Sequence, residues 1–211
     1  TNIEKDAKEI YLVGDVFDFW FEYKNVIPKG FERLKGKLAH LTDSGIKIHF
    51  FPGNHDLWTF GYLEKELGLI VHRKPLITTL NQKKFYITHG DGLGKGGNRY
   101  KFLKSIFSSS FSQLCFSILH PDLGVCLANM WSKQSRKKGG QINKEQLKNI
   151  LISYSKEILK KKDINYFVFG HIHDPVDIEL TPNSRYINIG DWITHFSYLE
   201  FHQNNLLLKY F

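Results

Sequence analysis

Four short polar clusters in the sequence carry residue types that bind divalent metal ions. They read GDVFD at residues 14–18, GNHD at 53–56, HGDG at 89–92 and GHIHD at 170–174. Their carboxylates, amide and imidazoles combine hard oxygen donors with borderline nitrogen donors, a set that suits Mn, Fe or Zn. Two such ions about 4 Å apart could hold a hydroxide and bind both the attacking and the leaving oxygen of a phosphoryl transfer.

Taken singly, each cluster has an ordinary structural explanation. Asp15 and Asp18 could cap the turn that follows them, and residues 53–56 could form a polar turn. All four clusters, however, follow predicted strands, and the strand ends of an open α/β sheet converge on one edge. We therefore expect nine side chains to form one site: Asp15, Asp18, Asn54, His55, Asp56, His89, Asp91, His171 and His173.

The spacing of apolar residues predicts the elements that position these clusters. One strand precedes each cluster: Ile10–Val13, Ile46–Phe51, Phe85–Thr88 and Tyr166–Phe169. Helices are predicted at Phe31–Leu41, Thr59–Leu67 and Lys144–Lys161. The tail is predicted as an antiparallel set of strands: Val176–Leu180, Arg185–Ile189, Ser197–Phe201 and Leu206–Tyr210. Alternating strands and helices followed by several strands indicate an α/β protein.

A segment of different character interrupts this alternation. Residues 100–133 have a nearly continuous helical pattern rich in Phe, Leu and Ile, and the sequence WSKQSRKKGG follows at 131–140. Cys115 and Cys126 lie 11 residues apart in this pattern. We expect them to be ordinary buried thiols on one helix face rather than a disulfide.

The net charge of the protein limits the classes of binding partner that are expected. The net charge is +8, from 29 basic and 21 acidic residues, and it implies an anionic partner such as a phosphorylated substrate, a membrane surface or nucleic acid. Nucleic acid is disfavoured because aromatic and basic residues do not alternate on any predicted strand. Neither a membrane-spanning apolar run nor a signal peptide is recognised, so a soluble protein of a reducing compartment is expected.

At the four clusters the sequence resembles the calcineurin-like metallophosphoesterases. The pattern of that family reads D-x-H, GDxxD, GNH[DE], a later His often followed by Gly, and GHxH, and the last four parts are present between residues 14 and 173. The resemblance implies a four-layer αββα sandwich with two divalent metal ions, Mn²⁺ being favoured and Zn or Fe being alternatives. It also implies a core of residues 1–98 and 141–211 with a helical cap of residues 99–140.

The resemblance further implies a role for each clustered side chain. One metal ion would be held by four residues: Asp15, Asn54, His89 and His171. The second ion would share Asp15 and bind His173, while His55 would face the phosphate and assist the leaving group. Three carboxylates would orient these ligands: Asp18, Asp56 and Asp91.

The first part of the family pattern is missing, since no Asp-x-His occurs in the sequence. The strand that carries it in the family is expected upstream of residue 1. Without it, the metal site built on His89 and His171 keeps its full ligand set. The site built on His173 keeps two protein ligands, and we expect it to bind metal weakly.

The segment DVFDFW at 15–20, the segment THGDG at 88–92 and the helical insertion are similar to the UDP-2,3-diacylglucosamine pyrophosphatases of lipid A biosynthesis. This implies hydrolysis of a nucleotide lipid to UMP and diacylglucosamine 1-phosphate by a cytoplasmic enzyme bound peripherally to the inner membrane. The cap would receive two acyl chains, with Tyr100 and Arg136 contacting the substrate, and we add Lys133. One departure is His55, where many of those enzymes carry Arg.

Two other functions remain open at this point. A general phosphodiesterase acting on soluble nucleotides would have the same metal site but would not need an apolar cap. A non-catalytic scaffold of the same fold would explain the missing Asp-x-His. Against the scaffold stands the retention of five metal-binding side chains together: Asp15, Asn54, His89, His171 and His173.

Overall fold

The computed structural model describes residues 2–128, 130 and 144–211. The protein is mixed α/β, as predicted, and the chain divides into two compact units. The first unit comprises Thr1–Arg73 and Arg99–Lys138, and the second comprises Lys74–Asn98 and Gly139–Phe211. None of the helices among the described residues is long and apolar enough to cross a membrane.

The first unit is built on a small parallel sheet. Its strands lie in the order β1 (Glu9–Leu12), β2 (Lys47–Phe50) and β3 (Ile70–Val71). The accompanying helices are α1 (Glu32–Asp43) and α2 (Tyr62–Leu67). The first two strands and both helices were predicted. The third strand was missed because two residues are too few to show alternation.

Aromatic side chains fix the loop that follows β1. Phe17 and Trp20 are fully buried, and their rings stack with centroids 4.3 Å apart. They pack in one core cluster with Ile48 and Phe50 of β2 and with Leu38 of α1. Each fully buried apolar side chain contributes about 1.5–3 kcal/mol. The first polar cluster is therefore carried on a loop whose own aromatic residues hold it against the core.

The helical insertion is not one continuous helix. It contains α3 (Asn98–Phe107), α4 (Ser110–Ile118) and a further helical stretch at 121–128. Ser109 begins α4 by accepting a hydrogen bond from the backbone N–H of Ser112, which interrupts the predicted pattern. The prediction of two buried thiols on one face was wrong. Cys115 and Cys126 lie on separate helical stretches, and both are exposed.

The second unit has a five-stranded sheet and a separate hairpin. The sheet order is β4 (Leu76–Leu80), β5 (Lys83–Ile87), β6 (Tyr166–Phe169), β8 (Ser184–Ile189) and β7 (Pro175–Thr181). The hairpin pairs β9 (Ser197–His202) with β10 (Asn205–Tyr210), and one long helix, α5 (Lys144–Leu159), belongs to this unit. Strand β6 has the predicted bounds, whereas β4 was not predicted.

The tail strands pair antiparallel with one another, as predicted: β7 with β8, and β9 with β10. The prediction did not include a parallel partner for β8. Strand β8 pairs in parallel with β6 and antiparallel with β7. The physical reason is that β8, the second strand of its hairpin, takes the place beside β6 and so runs in the same direction as β6. All four residues of β6 are buried, which matches the continuous apolar run expected of a central parallel strand.

Two histidines lie side by side in the first unit. His49 Nδ1 and His72 Nε2 are 2.8 Å apart, and the ring of Tyr11 stacks on His49 with centroids 4.5 Å apart. Burial lowers the pKa of both imidazoles. At His49 the nearby Glu9 opposes this effect by raising the pKa, while Lys47 adds to it by lowering the pKa. At His72 the neighbouring His49 lowers the pKa further. Both side chains are therefore favoured as neutral imidazoles in the folded state.

We expect the free energy of unfolding to decrease as the pH falls below about 6.5, the ordinary pKa of histidine. Below that value the unfolded chain takes up protons that the folded His49 and His72 bind less readily, whereas above it both states are neutral. Urea denaturation at about pH 5.5 and about pH 7.5 measures the difference. The variant His72→Gln should reduce this difference, while His40→Gln, exposed on α1, should keep it. An undiminished difference in His72→Gln would contradict the assignment.

Candidate active site

The carboxylate of Asp56 joins the two polar loops of the first unit. Its Oδ1 accepts hydrogen bonds from the backbone N–H groups of Gly53 at 2.6 Å and Asp15 at 3.2 Å. Its Oδ2 accepts from Val16 at 2.7 Å and Phe17 at 3.4 Å. Asp56 is completely buried, and a carboxylate tolerates such burial only with hydrogen-bond donors of this kind. The loops after β1 and β2 are therefore held together through one side chain.

The carboxylate of Asp15 is held against the second loop. The backbone of Asp15 has a left-handed φ of 53°. Its Oδ1 accepts a hydrogen bond from the backbone N–H of His55 at 2.9 Å. A Cβ atom added to Gly53 would collide with this same oxygen, so only glycine fits there. The close approach places Asp15 beside the turn that carries Asn54.

The ring of His55 contacts the first loop through a backbone group. Its Nδ1 lies 3.1 Å from the carbonyl oxygen of Asp18. A carbonyl oxygen can only accept, so this contact favours the Nδ1–H tautomer. The side chain of Asp18 is exposed, and its backbone carbonyl makes this contact with His55.

His89 and His171 come together at the ends of two neighbouring strands of the second unit. The carbonyl oxygen of His89 accepts hydrogen bonds from the N–H groups of Gly170 and His171, both at 3.0 Å. His89 is nearly completely buried, and its Nε2 lies 3.2 Å from His171 Nδ1. The backbone hydrogen bonds between the ends of β5 and β6 thus bring one nitrogen of each imidazole close together.

The distance between these two nitrogens fits a metal site. Two imidazole ligands at about 2.1 Å from one ion, with an angle near 90–110° between them, lie about 3.0–3.4 Å apart. A separation of 3.2 Å is also that of a direct hydrogen bond, which His89 and His171 can form between them while no ion lies there. The donor set in this unit therefore suits a divalent cation.

His173 lies beside a residue that the sequence patterns did not single out. Its side chain is 45% exposed, and its Nδ1 lies 3.4 Å from Oδ2 of Asp191. His195 Nδ1 lies 3.6 Å from the same oxygen. Asp191 follows Gly190 at the end of β8, and a Gly-Asp pair directly after a strand, as at residues 14–15, is the signal that could have found it.

The carboxylate of Asp191 is strongly favoured in its charged form. Burial raises its pKa, but the backbone N–H groups of Thr194, His195 and Ile193, together with His173, lower it by more. The resulting pKa lies well below the ordinary value for aspartate. Asp191 is therefore a fixed negative charge beside His173 at neutral pH.

Two other predicted residues lie on the loop after β5 and on α3. Asp91 is buried and follows Gly90, whose backbone has a left-handed φ of 110°. Tyr100 lies in α3 with 37% of its surface exposed. Lys133 and Arg136 lie outside the described residues.

Comparisons with known proteins agree with the resemblance seen at the four clusters. A family described as calcineurin-like phosphoesterase matches residues 2–175. A protein of Porphyromonas gingivalis named UDP-2,3-diacylglucosamine hydrolase is 36% identical over 98% of this chain and 85% of its own length. Proteins of the same name from Wigglesworthia glossinidia brevipalpis and Proteus mirabilis are 27% and 25% identical, over 97% and 89% of this chain and 82% and 79% of their own lengths.

We expect the variant Asp56→Asn to lose about 2–4 kcal/mol of unfolding free energy. An amide can offer its oxygen to only one pair of the backbone N–H donors, and its NH₂ group then faces the other pair. Asp122→Asn, at a side chain that is 94% exposed, is the matched control and should change stability by less than about 0.5 kcal/mol. Urea denaturation of the three proteins measures both values. Equal stability of Asp56→Asn and the parent would show that Asp56 does not hold the loops.

Proposed function

The chain belongs to the calcineurin-like phosphoesterase family, and from that premise we propose that it hydrolyses the pyrophosphate bond of UDP-2,3-diacylglucosamine. The products are UMP and 2,3-diacylglucosamine 1-phosphate. The observation that carries the proposal is the 36% identity to the Porphyromonas gingivalis protein, which extends over 98% of this chain. That similarity includes the helical insertion as well as the polar clusters.

The proposed cofactors are two divalent metal ions, with Mn²⁺ favoured by the mixture of oxygen and nitrogen donors. One ion would be held by four residues: Asp15, Asn54, His89 and His171. The other would share Asp15 and bind His173. When bound, the ions supply an activated water and neutralise charge on the phosphoryl oxygens. Within the second unit the 3.2 Å separation of the His89 and His171 nitrogens supports this assignment.

The side chains around the ligands have separate tasks in this proposal. Asp56 fixes the backbone on both sides of Asp15 and Asn54, so the oxygen ligands need little rearrangement. His55 directs Nδ1 to the carbonyl of Asp18, and its Nε2 is therefore the nitrogen that would face the phosphate. With both ring nitrogens protonated, Nδ1–H would donate to the Asp18 carbonyl, and Nε2–H would stabilise the developing charge and pass its proton to the leaving oxygen.

The helical insertion is proposed as the cap that receives the acyl chains. Many of its large apolar side chains are exposed: Phe102, Leu103, Ile106, Phe111, Leu114, Ile118, Leu123 and Leu127. A soluble surface rarely leaves so many apolar residues uncovered in one segment without a ligand or a membrane to contact them. Residues 99–140 would form this cap, with Tyr100, Arg136 and Lys133 contacting the substrate.

The same segment supports a peripheral position at an anionic inner-membrane surface on the cytoplasmic side. The net charge of +8 favours anionic lipids, at about 1 kcal/mol for each Lys or Arg close to the surface. The exposed apolar side chains of α3 and α4 would enter the interface between headgroups and acyl chains. Attraction and insertion together give stronger binding than either alone.

We expect the protein to hydrolyse UDP-2,3-diacylglucosamine in the presence of Mn²⁺ and to lose at least about 100-fold in rate in His89→Ala, because that variant removes a metal ligand. Release of UMP, followed by chromatography, measures the rate. His202→Ala, at an exposed position of the same unit, is the control and should keep full activity.

Two outcomes would favour the other functions. Hydrolysis of bis(p-nitrophenyl) phosphate without hydrolysis of the nucleotide lipid would indicate a general phosphodiesterase. Hydrolysis of neither compound, with correct folding shown by circular dichroism, would indicate a non-catalytic scaffold.

In a vesicle flotation assay, we expect the protein to bind vesicles that contain anionic phosphatidylglycerol and not to bind vesicles of phosphatidylcholine alone. The double variant Phe111→Ser and Ile118→Ser should weaken binding by at least about 10-fold, because burying each side chain contributes about 1.5–3 kcal/mol. Ile77→Ser combined with Leu207→Ser, two exposed positions of the second unit, should bind as the parent does. Equal losses in both double variants would mean that the insertion is not the contact surface.

A further inference from the structure

We infer that Asp191 is a positioning residue for His173, and that it orients the imidazole so that Nε2 binds the metal ion. The inference rests on the proposed function, because it takes His173 as a metal ligand. Asp191 lies outside the four clusters and eighteen residues after His173 in the sequence. The connection between them is made by the structure.

The carboxylate of Asp191 is fixed by the backbone of its own turn. Its Oδ1 accepts hydrogen bonds from the N–H groups of Ile193 at 3.1 Å, Thr194 at 2.7 Å and His195 at 3.0 Å. The N–H of Ser197 also donates to the Asp191 carbonyl oxygen at 3.2 Å. Only 8% of the Asp191 side chain is exposed. With one oxygen held by three donors, the direction of the other oxygen is set.

That second oxygen, Oδ2, points toward His173. His173 Nδ1 lies 3.4 Å away, and because a carboxylate oxygen can only accept, Nδ1 must carry the proton for the two groups to attract one another. A neutral imidazole with its proton on Nδ1 has its lone pair on Nε2. The pair Asp191–His173 therefore selects the tautomer and the ring nitrogen that a metal ion requires.

The ring of His173 needs such an orienting contact. Its backbone is held, since Lys144 Nζ donates to its carbonyl oxygen at 2.9 Å, but its side chain is 45% exposed. His171 differs, because its ring nitrogen lies 3.2 Å from that of the buried His89. His173 is thus the imidazole whose direction depends most on a neighbouring carboxylate.

His195 competes for the same oxygen. Its Nδ1 lies 3.6 Å from Asp191 Oδ2, and among the described residues this nitrogen is buried without a hydrogen bond. The distance to His173 is shorter, and His173 is the residue at the GHxH position. We therefore assign the positioning role toward His173 and treat His195 as the residue against which the assignment is tested.

The test is Mn²⁺ binding to the parent and to Asp191→Asn, measured by titration calorimetry. The amide oxygen can still accept the three backbone N–H groups, so the turn is retained, but the NH₂ group then faces Nδ1 and favours the wrong tautomer. We expect the weaker Mn²⁺ site to lose about 10–100-fold in affinity, while the stronger one is unchanged. The control is Asp177→Asn, at a carboxylate of the same unit that pairs with Arg185. It should leave both sites unchanged.

A double-mutant cycle separates positioning from a general structural effect. In a His173→Ala background, Asp191→Asn should have no further effect on Mn²⁺ affinity, because the two residues act through one contact. Additive losses would overturn the inference. So would a His195→Gln variant that loses as much affinity as Asp191→Asn, since Asp191 would then act through His195.

A second measurement reads the tautomer directly in the parent protein. Long-range ¹H–¹⁵N correlation spectra of the metal-free protein near pH 8 report the tautomer of each histidine, and His173→Gln assigns the signal. The Nδ1–H tautomer is expected for His173, and the Nε2–H tautomer would overturn the inference. A parent that binds no Mn²⁺ and hydrolyses no substrate refutes the proposed function instead. Unchanged affinity in Asp191→Asn refutes only the positioning role.

Discussion

The hydrogen bonds made by Asp56 are the interaction on which the first half of the site depends. Past the ends of β1 and β2, the N–H groups of the two loops have no strand partner, and they need an acceptor if they are to be buried. The carboxylate of Asp56 in turn needs donors if it is to be buried as a charge. The loop N–H groups and the Asp56 carboxylate satisfy one another, and the backbone held in this way carries Asp15.

At the ends of β5 and β6, the second unit links its two polar loops through backbone groups. Beyond β5, the carbonyl oxygen of His89 accepts two N–H groups from the chain that leaves β6. Gly90 takes a left-handed φ there, and a Cβ at that position would meet the ring of Phe169 at 3.0 Å. In both units the functional side chains are attached to backbone that must find new partners where a strand ends. This explains why the backbone that carries these side chains has little freedom.

The sequence predicted the clusters because each one follows an apolar run long enough to identify a strand, as at Tyr166–Phe169. It failed where the decisive information was not local. The parallel pairing of β8 (Ser184–Ile189) was not predicted, because only the sheet order places β6 beside it. Cys115 looked buried because periodicity was extended across the cap formed by Ser109. Asp191 was overlooked because its partner His173 is distant in sequence.

Comparing Asp56 with Asp191 shows how two carboxylates with similar surroundings acquire different uses. Both are held by backbone N–H donors, but Asp56 uses its two oxygens for four such donors and so shapes the two loops. Asp191 uses one oxygen for three donors and leaves the other directed at His173. In the proposed metal centre, the first arrangement would determine where the ligands lie, and the second would determine which nitrogen of His173 faces the ion. A catalytic metal centre leaves one coordination position open for the substrate, so fewer protein ligands are oriented by the ion itself. Such a centre depends on surrounding residues both to place the ligands and to orient them.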